Sequence, residues 1–81
     1  MSKHPHLVAL GARIRAVRES KGLSQEGFAA EVGLDRAYYG GVERGERNVA
    51  ALNLIKIAAV LDVEVGDLFP RASELQRLKG Q

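Results

Sequence analysis

The chain contains no cysteine. Disulfides and thiolate metal sites are therefore excluded, and no oxidising compartment is implied. Only four aromatic residues are present, Phe28, Tyr38, Tyr39 and Phe69, so aliphatic side chains and alanine must do the packing. No apolar run approaches the roughly 18 residues of a membrane span. The opening MSKHPH lacks an apolar segment leading to a cleavage site, so no signal peptide is expected and a bacterial-type cytoplasm is the default. Net charge is only +2 over 81 residues, a mild basic bias that is no nucleic-acid signature in itself. There is no Ser/His/acid set, no metal-ligand spacing and no phosphate-binding glycine loop. Neither an enzymatic activity nor a metal, cofactor or small-molecule ligand is expected. His4 and His6, at i,i+2 with no Cys or nearby acid, read as part of a solvated tail.

What is present is helical periodicity in a chain of one domain at most. A chain this small buries about 60–65% of its unfolded surface, so its core must be well made. Residues 1–6 read as a flexible arm. Leu7, Leu10, Ile14 and Val17 form one apolar stripe, which predicts a helix from Leu7 to Lys21 with Gly22 as its C-cap. Ser24 is a good N-cap for a second helix, and Leu23 with Phe28 has the hydrophobic-staple spacing. Phe28, Ala29 and Val32 form its inward face, and Gly33 ends it. Asp35 caps a third helix, with Leu34 and Tyr39 as a second staple; Tyr39 and Val42 face inward and Gly45 closes it. The interior pair Gly40-Gly41 is costly, about 0.8–1 kcal/mol per glycine relative to alanine.

A fourth helix is expected from Val49 or Ala50 to Leu61, with Asn48 as N-cap and Ala51, Leu54, Ile55, Ala58 and Leu61 on its buried face. Leu52 lies outside that stripe. A short fifth helix runs from Glu64 to Phe69 and stops near Pro70. Residues 70–81 form a tail in which Leu75 and Leu78, at i,i+3, either continue as a weak helix or fray. No strand is needed, so the expectation is an all-α, compact five-helix bundle spanning residues 7–69.

Two short helices joined by a glycine-containing turn match the helix-turn-helix unit. The signals are the spacing from Ser24 to Asp35, the small Ala29 that lets the helices approach, and Gly33, which reverses the chain. Charge separates along the sequence. Arg13, Arg15, Arg18 and Lys21 lie in the first helix, and Arg36, Arg44 and Arg47 lie in and just after the third. Asp62, Glu64 and Asp67 gather further on. This pattern suits one basic face, with an acidic end apart from it.

The strings RIRAVRESKGLSQE, EVGLDR, VERGERN and LIKIAAVLDV together resemble the lambda-repressor/Cro-like helix-turn-helix regulators of the XRE family, over residues 7–69. The GERNV loop and the chain length look like the controller proteins of restriction–modification systems. The resemblance implies a sequence-specific transcriptional regulator with its third helix in the major groove of double-stranded DNA. By position it implies that Gln25 donates to a phosphate, as suits a helix N-terminus. Arg36 and Ala37 fall where side chains reach base edges, and an arginine there either forks onto guanine or clamps a phosphate. Gly40 and Gly41 fall where related proteins often carry a polar reader. Either the backbone approaches the groove floor or these positions are unused, and fewer direct contacts are expected in both cases. Tyr38 is expected to reach a phosphate or a thymine methyl.

Arg44 and Arg47 resemble the backbone-clamping residues after the recognition helix, and Asn48 either shares that role or caps the next helix. Arg18 and Glu43 look like the family's internal ion pair. Such regulators commonly bind as homodimers on two half-sites, because one helix reads too few base pairs. The apolar candidates for that contact are Leu52, Ile55, Val63, Val65 and Leu68; the alternative is that several of them complete the small core, with Leu68 and Phe69 standing between the two. Two rivals remain: the antitoxin of a toxin–antitoxin pair, which needs a protein partner, and the same fold used only to bind protein.

Overall fold

The computed structural model describes residues 4–71. They form four α-helices, α1 (Pro5–Ser20), α2 (Gln25–Val32), α3 (Arg36–Glu43) and α4 (Ala51–Leu61), followed by a single 3-10 turn at Val65–Leu68. No strand occurs among the described residues. The fold is all-helical, but the five-helix expectation is corrected to four α-helices and one tight turn. Pro70 supplies the reason. The residue before a proline is pushed out of the helical region, and Phe69 is extended at φ −88° and ψ 146°. Only a short segment remains after Val63. Asp67 closes it, its Oδ2 accepting from Glu64 N at 3.1 Å.

Two further boundaries and one buried stripe differ from the sequence reading. α1 begins at Pro5, inside the expected arm, because proline's fixed φ suits the first helical position. His4 caps it, Nδ1 accepting from His6 N at 3.1 Å. Second, Asn48 is not a cap: α4 begins at Ala51, with Ala50 at the cap position and no side-chain cap bond. Third, the buried stripe of α4 is Leu54, Ile57, Ala58 and Leu61. That is the i, i+3, i+4, i+7 set counted from Leu54, not from Ala51. Ile57 is 0% exposed, whereas Ile55, expected inside, is 53% exposed. Leu75 and Leu78 lie outside the described residues.

The core gathers at the meeting of all four helices. Phe28 and Tyr39 pack with ring centroids 5.3 Å apart, and Ile14, Ile57, Leu61 and Leu68 are fully buried around them. Ala29 is 1% exposed in the α2–α3 hairpin, where a larger side chain would part the helices. No helix of the described residues is long and apolar enough to cross a membrane.

Candidate nucleic-acid interface

α3 is placed from both ends by local chemistry. Ser24 Oγ accepts from Gly27 N at 3.0 Å and starts α2. Gly33, at φ 83°, lets the chain reverse in the left-handed region. Asp35 Oδ2 then accepts from Tyr38 N at 3.1 Å and starts α3. Helix α1 fixes the other end. A Cβ on Gly11 would collide with the carbonyl oxygen of Val42 and lie 2.5 Å from that of Glu43. The two helices therefore cross backbone to backbone at Gly11, and no other residue type fits there without a shift. Gly45, at φ 76°, packs the same way, with its Cβ position 2.6 Å from Val8 Cα.

The inner face of α3 is held by a buried polar network. Arg18 donates to Glu43 through Nε to Oε2 at 2.7 Å and through Nη2 to Oε1 at 3.1 Å. Its remaining Nη1 donates to the carbonyl oxygen of Leu23 at 2.6 Å. The Tyr39 hydroxyl donates to Glu43 Oε2, and Gln25 Nε2 donates to Oε1 at 3.0 Å. The carboxylate thus accepts four bonds, and no buried side-chain polar atom among the described residues lacks a partner.

Burial alone would raise the Glu43 pKa, but the bonds from Arg18, Tyr39 and Gln25 outweigh it and hold the carboxyl below its usual range. The hydrogen bond to Glu43 also raises the Arg18 pKa against the opposing effect of burial. Burial, then the bond to Glu43, pushes the Tyr39 phenol well above its ordinary value, so it stays protonated. Glu43 therefore ties α1, the start of α2 and α3 into one orientation, and Arg18 adds the α1–α2 linker.

The outer face is different. Gln25, Asp35, Arg36, Ala37, Gly40 and Arg44 line one open groove between the start of α2 and the length of α3. Arg36 Nη1 lies 4.0 Å from Glu26 Oε2, and Arg44 Nε lies 3.0 Å from Glu46 Oε1. Both pairs are solvent-exposed and worth only about 0–1 kcal/mol, so an incoming phosphate or base edge can replace the carboxylate. Gln25 spans the two faces. One of its amide hydrogens is committed to Glu43, leaving the second to donate outward.

Gly40 and Gly41 are buried, although Arg36 and Ala37, one turn before them, are exposed. Arginine covers them. A Cβ at Gly40 would lie 3.0 Å from Arg44 Nη1, and one at Gly41 would lie 2.8 Å from Arg47 Cγ. The bare backbone expected here is roofed by two side chains reaching back along the helix.

Several sequence-picked residues lie elsewhere. Tyr38 is half-buried against the core, and its hydroxyl accepts from Asn53 Nδ2 of α4 at 3.3 Å. Its hydroxyl is thus engaged by α4, and it is not among the groove-lining residues. Asn48 is exposed beside His4, His6 and Leu7. Leu68 is 0% exposed; it is core, which corrects its assignment as a dimer contact. Val63 and Val65 are half-buried against the core, while Leu52 and Ile55 are 63% and 53% exposed.

The basic cluster of the first helix does not join the groove. Arg18 is buried, Arg15 pairs with Glu19 at 3.2 Å, and Arg13 Nε donates to the carbonyl of Asp67 at 2.9 Å. Sequence reasoning missed Gly11 and the participation of Tyr39. The first gives no local signal beyond a glycine inside an apolar stripe. The second was available as Tyr39 and Glu43 at i,i+4 on one helix face.

Residues 14–68 match the helix-turn-helix family HTH_3. The chain is 44% identical over 63 residues to Control protein C.MunI from a Mycoplasma species, spanning 76% of this chain and 85% of that protein. The crystal structure of the restriction–modification controller protein C.AhdI from Aeromonas hydrophila is similar at 56% identity and a TM-score of 0.76, over 78% of this chain and 96% of that one. The crystal structure of SinR, a master regulator for biofilm formation, in complex with DNA is similar at 37% identity and a TM-score of 0.70, over 73% and 95% of the two chains.

Proposed function

This chain belongs to the helix-turn-helix family HTH_3, and from that premise we propose that it is a sequence-specific transcriptional regulator of the restriction–modification controller type, acting as a homodimer on a two-fold operator. The DNA-binding regulator function follows the family and its controller-protein relatives. The observation that carries the proposal here is the groove that joins Gln25, Arg36, Ala37 and Arg44 on the outer face of a helix whose inner face is locked.

In this reading α3 enters the major groove with its N-terminal end leading. Arg36 forks onto a guanine and Ala37 lies against a thymine methyl. Gln25, with its free amide hydrogen at the start of α2, donates to a phosphate, and Arg47 and Asn48 contact the same backbone beyond the C-terminal end of α3. Leu52 and Ile55, exposed on α4, supply the apolar centre of the two-fold contact, with Val63 and Val65 beside them.

Titration against mixed-sequence duplex at two salt concentrations tests this. Binding is expected to weaken steeply with salt, by a slope of about 0.9 in log K per phosphate contact. No binding at low salt would contradict it and favour a protein-interaction module. A Leu52→Glu variant is expected to shift sedimentation toward the monomer. An unchanged sedimentation profile would remove this face from the dimer.

A further inference from the structure

Given the DNA-binding function on which it rests, we propose that Arg44 is a second base-edge reader, not a backbone clamp, and that Gly40 is the specificity-determining residue that gives it room. Arg44 stands one turn after Gly40, and long side chains on a helix lean back over the turn before them. With hydrogen in place of a methyl at position 40, the guanidinium lies down on the helix surface, where a Cβ would sit 3.0 Å from Nη1. It thereby enters the groove that also holds Arg36 and Ala37.

The orientation of the guanidinium supports the same role. Its Nε is engaged by Glu46 Oε1 at 3.0 Å, which leaves the two terminal nitrogens as the free fork. A paired terminal edge matches the O6 and N7 acceptors of guanine. Gln25 Oε1 stands beside the same place, 3.5 Å from the Gly40 Cβ position. The neighbouring glycine acts differently. At Gly41 a Cβ would meet Cγ of Arg47, near the root of that side chain, and Arg47 is not among the groove-lining residues. Gly41 therefore seats the stem of Arg47 at the helix edge, where a guanidinium meets phosphate.

The glycine pair thus sorts two arginines, one into the groove and one onto the backbone. Lost side chains at positions 40 and 41 do not leave the recognition face bare. Its contacts come from residues four to six positions further along the chain.

Selection of bound duplexes from a random pool, run on the full chain and on Arg44→Ala, Gly40→Ala, Arg36→Ala and Arg47→Ala, tests this. Arg44→Ala is expected to relax preference at one base pair of each half-site by about 5- to 150-fold, the range for one forked contact. Gly40→Ala is expected to relax the same base pair, and Arg36→Ala a different one. Arg47→Ala is expected to weaken all sequences alike. If Arg44→Ala also weakens all sequences alike, Arg44 is a clamp and the inference is wrong, whatever Gly40→Ala does to folding. If the unaltered protein binds no duplex at low salt, the DNA-binding function itself fails. Binding with the Arg44 preference unchanged overturns this inference alone.

Discussion

Glycines stand on both sides of α3, and what fills the space beside each one sets the two sides apart. At Gly11 the missing Cβ is replaced by backbone, the carbonyl oxygens of Val42 and Glu43. At Gly40 it is replaced by the tip of a solvent-exposed arginine. Backbone cannot yield without moving a helix, whereas a guanidinium can swing aside. The inner glycine therefore serves the fold and the outer one serves the surface. The same division runs through the charges. Arg18 is buried and saturated against Glu43, while Arg36 and Arg44 rest on exposed carboxylates that a ligand can displace. A recognition helix needs both conditions, a rigid inner face and an outer face whose partners exchange.

The largest expected effect lies at the centre of the inner face. Glu43→Ala removes the acceptor of four bonds and strands a buried Arg18. Breaking a buried pair in this way costs about 3–5 kcal/mol, a large share of the stability of a small domain. Urea denaturation should show it, and a loss under about 1 kcal/mol would mean that the network orients without stabilising. Next comes the glycine contrast. Gly11→Ala is expected to lose about 1–3 kcal/mol or more through overpacking, despite its better helix propensity. Gly40→Ala is expected to be neutral or to gain up to about 1 kcal/mol. Equal changes at the two sites would erase the distinction drawn between them.

The smallest effect is the pH dependence of the inner face. Hydrogen bonds from Arg18, Tyr39 and Gln25 hold the Glu43 carboxyl below the ordinary glutamate range in the folded state. The unfolded chain therefore takes up the proton first as pH falls, and stability rises with pH across that window. The contribution is complete above about pH 5 and is lost as pH drops through the lowered folded value. Urea midpoints at pH 7 and below pH 4 should differ, and by less in Glu43→Gln. An equal difference in both would place the acid sensitivity elsewhere.

The parts of this structure legible in the sequence are the ones written by neighbours in the chain. Ser24, Gly33 and Asp35 announce the ends of α2 and α3, because caps and reversals are local. The division between Ile55 and Ile57 was not legible in the same way, since both fall within a broad apolar band and the packing against α2 and the 3-10 turn selects the stripe. Leu68 stood between core and interface in the sequence, because a four-residue turn shows no stripe and its packing against α4 and α1 decides the matter. Gly11 reads as a propensity defect until α3 is laid across it. At the candidate site, the place of Arg36 at the front of α3 followed from the family resemblance, position by position. The covering of Gly40 by Arg44 depends on where a long side chain lies, which spacing does not specify.

In the proposed mode of binding, the outer face of α3 meets DNA while the inner network holds still. Backbone and side-chain NMR shifts of the labelled protein, followed during titration with operator duplex, test it most directly. The largest changes are expected at Gln25, Arg36, Ala37, Gly40 and Arg44, with Arg18, Tyr39 and Gly11 nearly unmoved. Changes concentrated instead on Leu52, Ile55 and Phe69, with the groove silent, would contradict it.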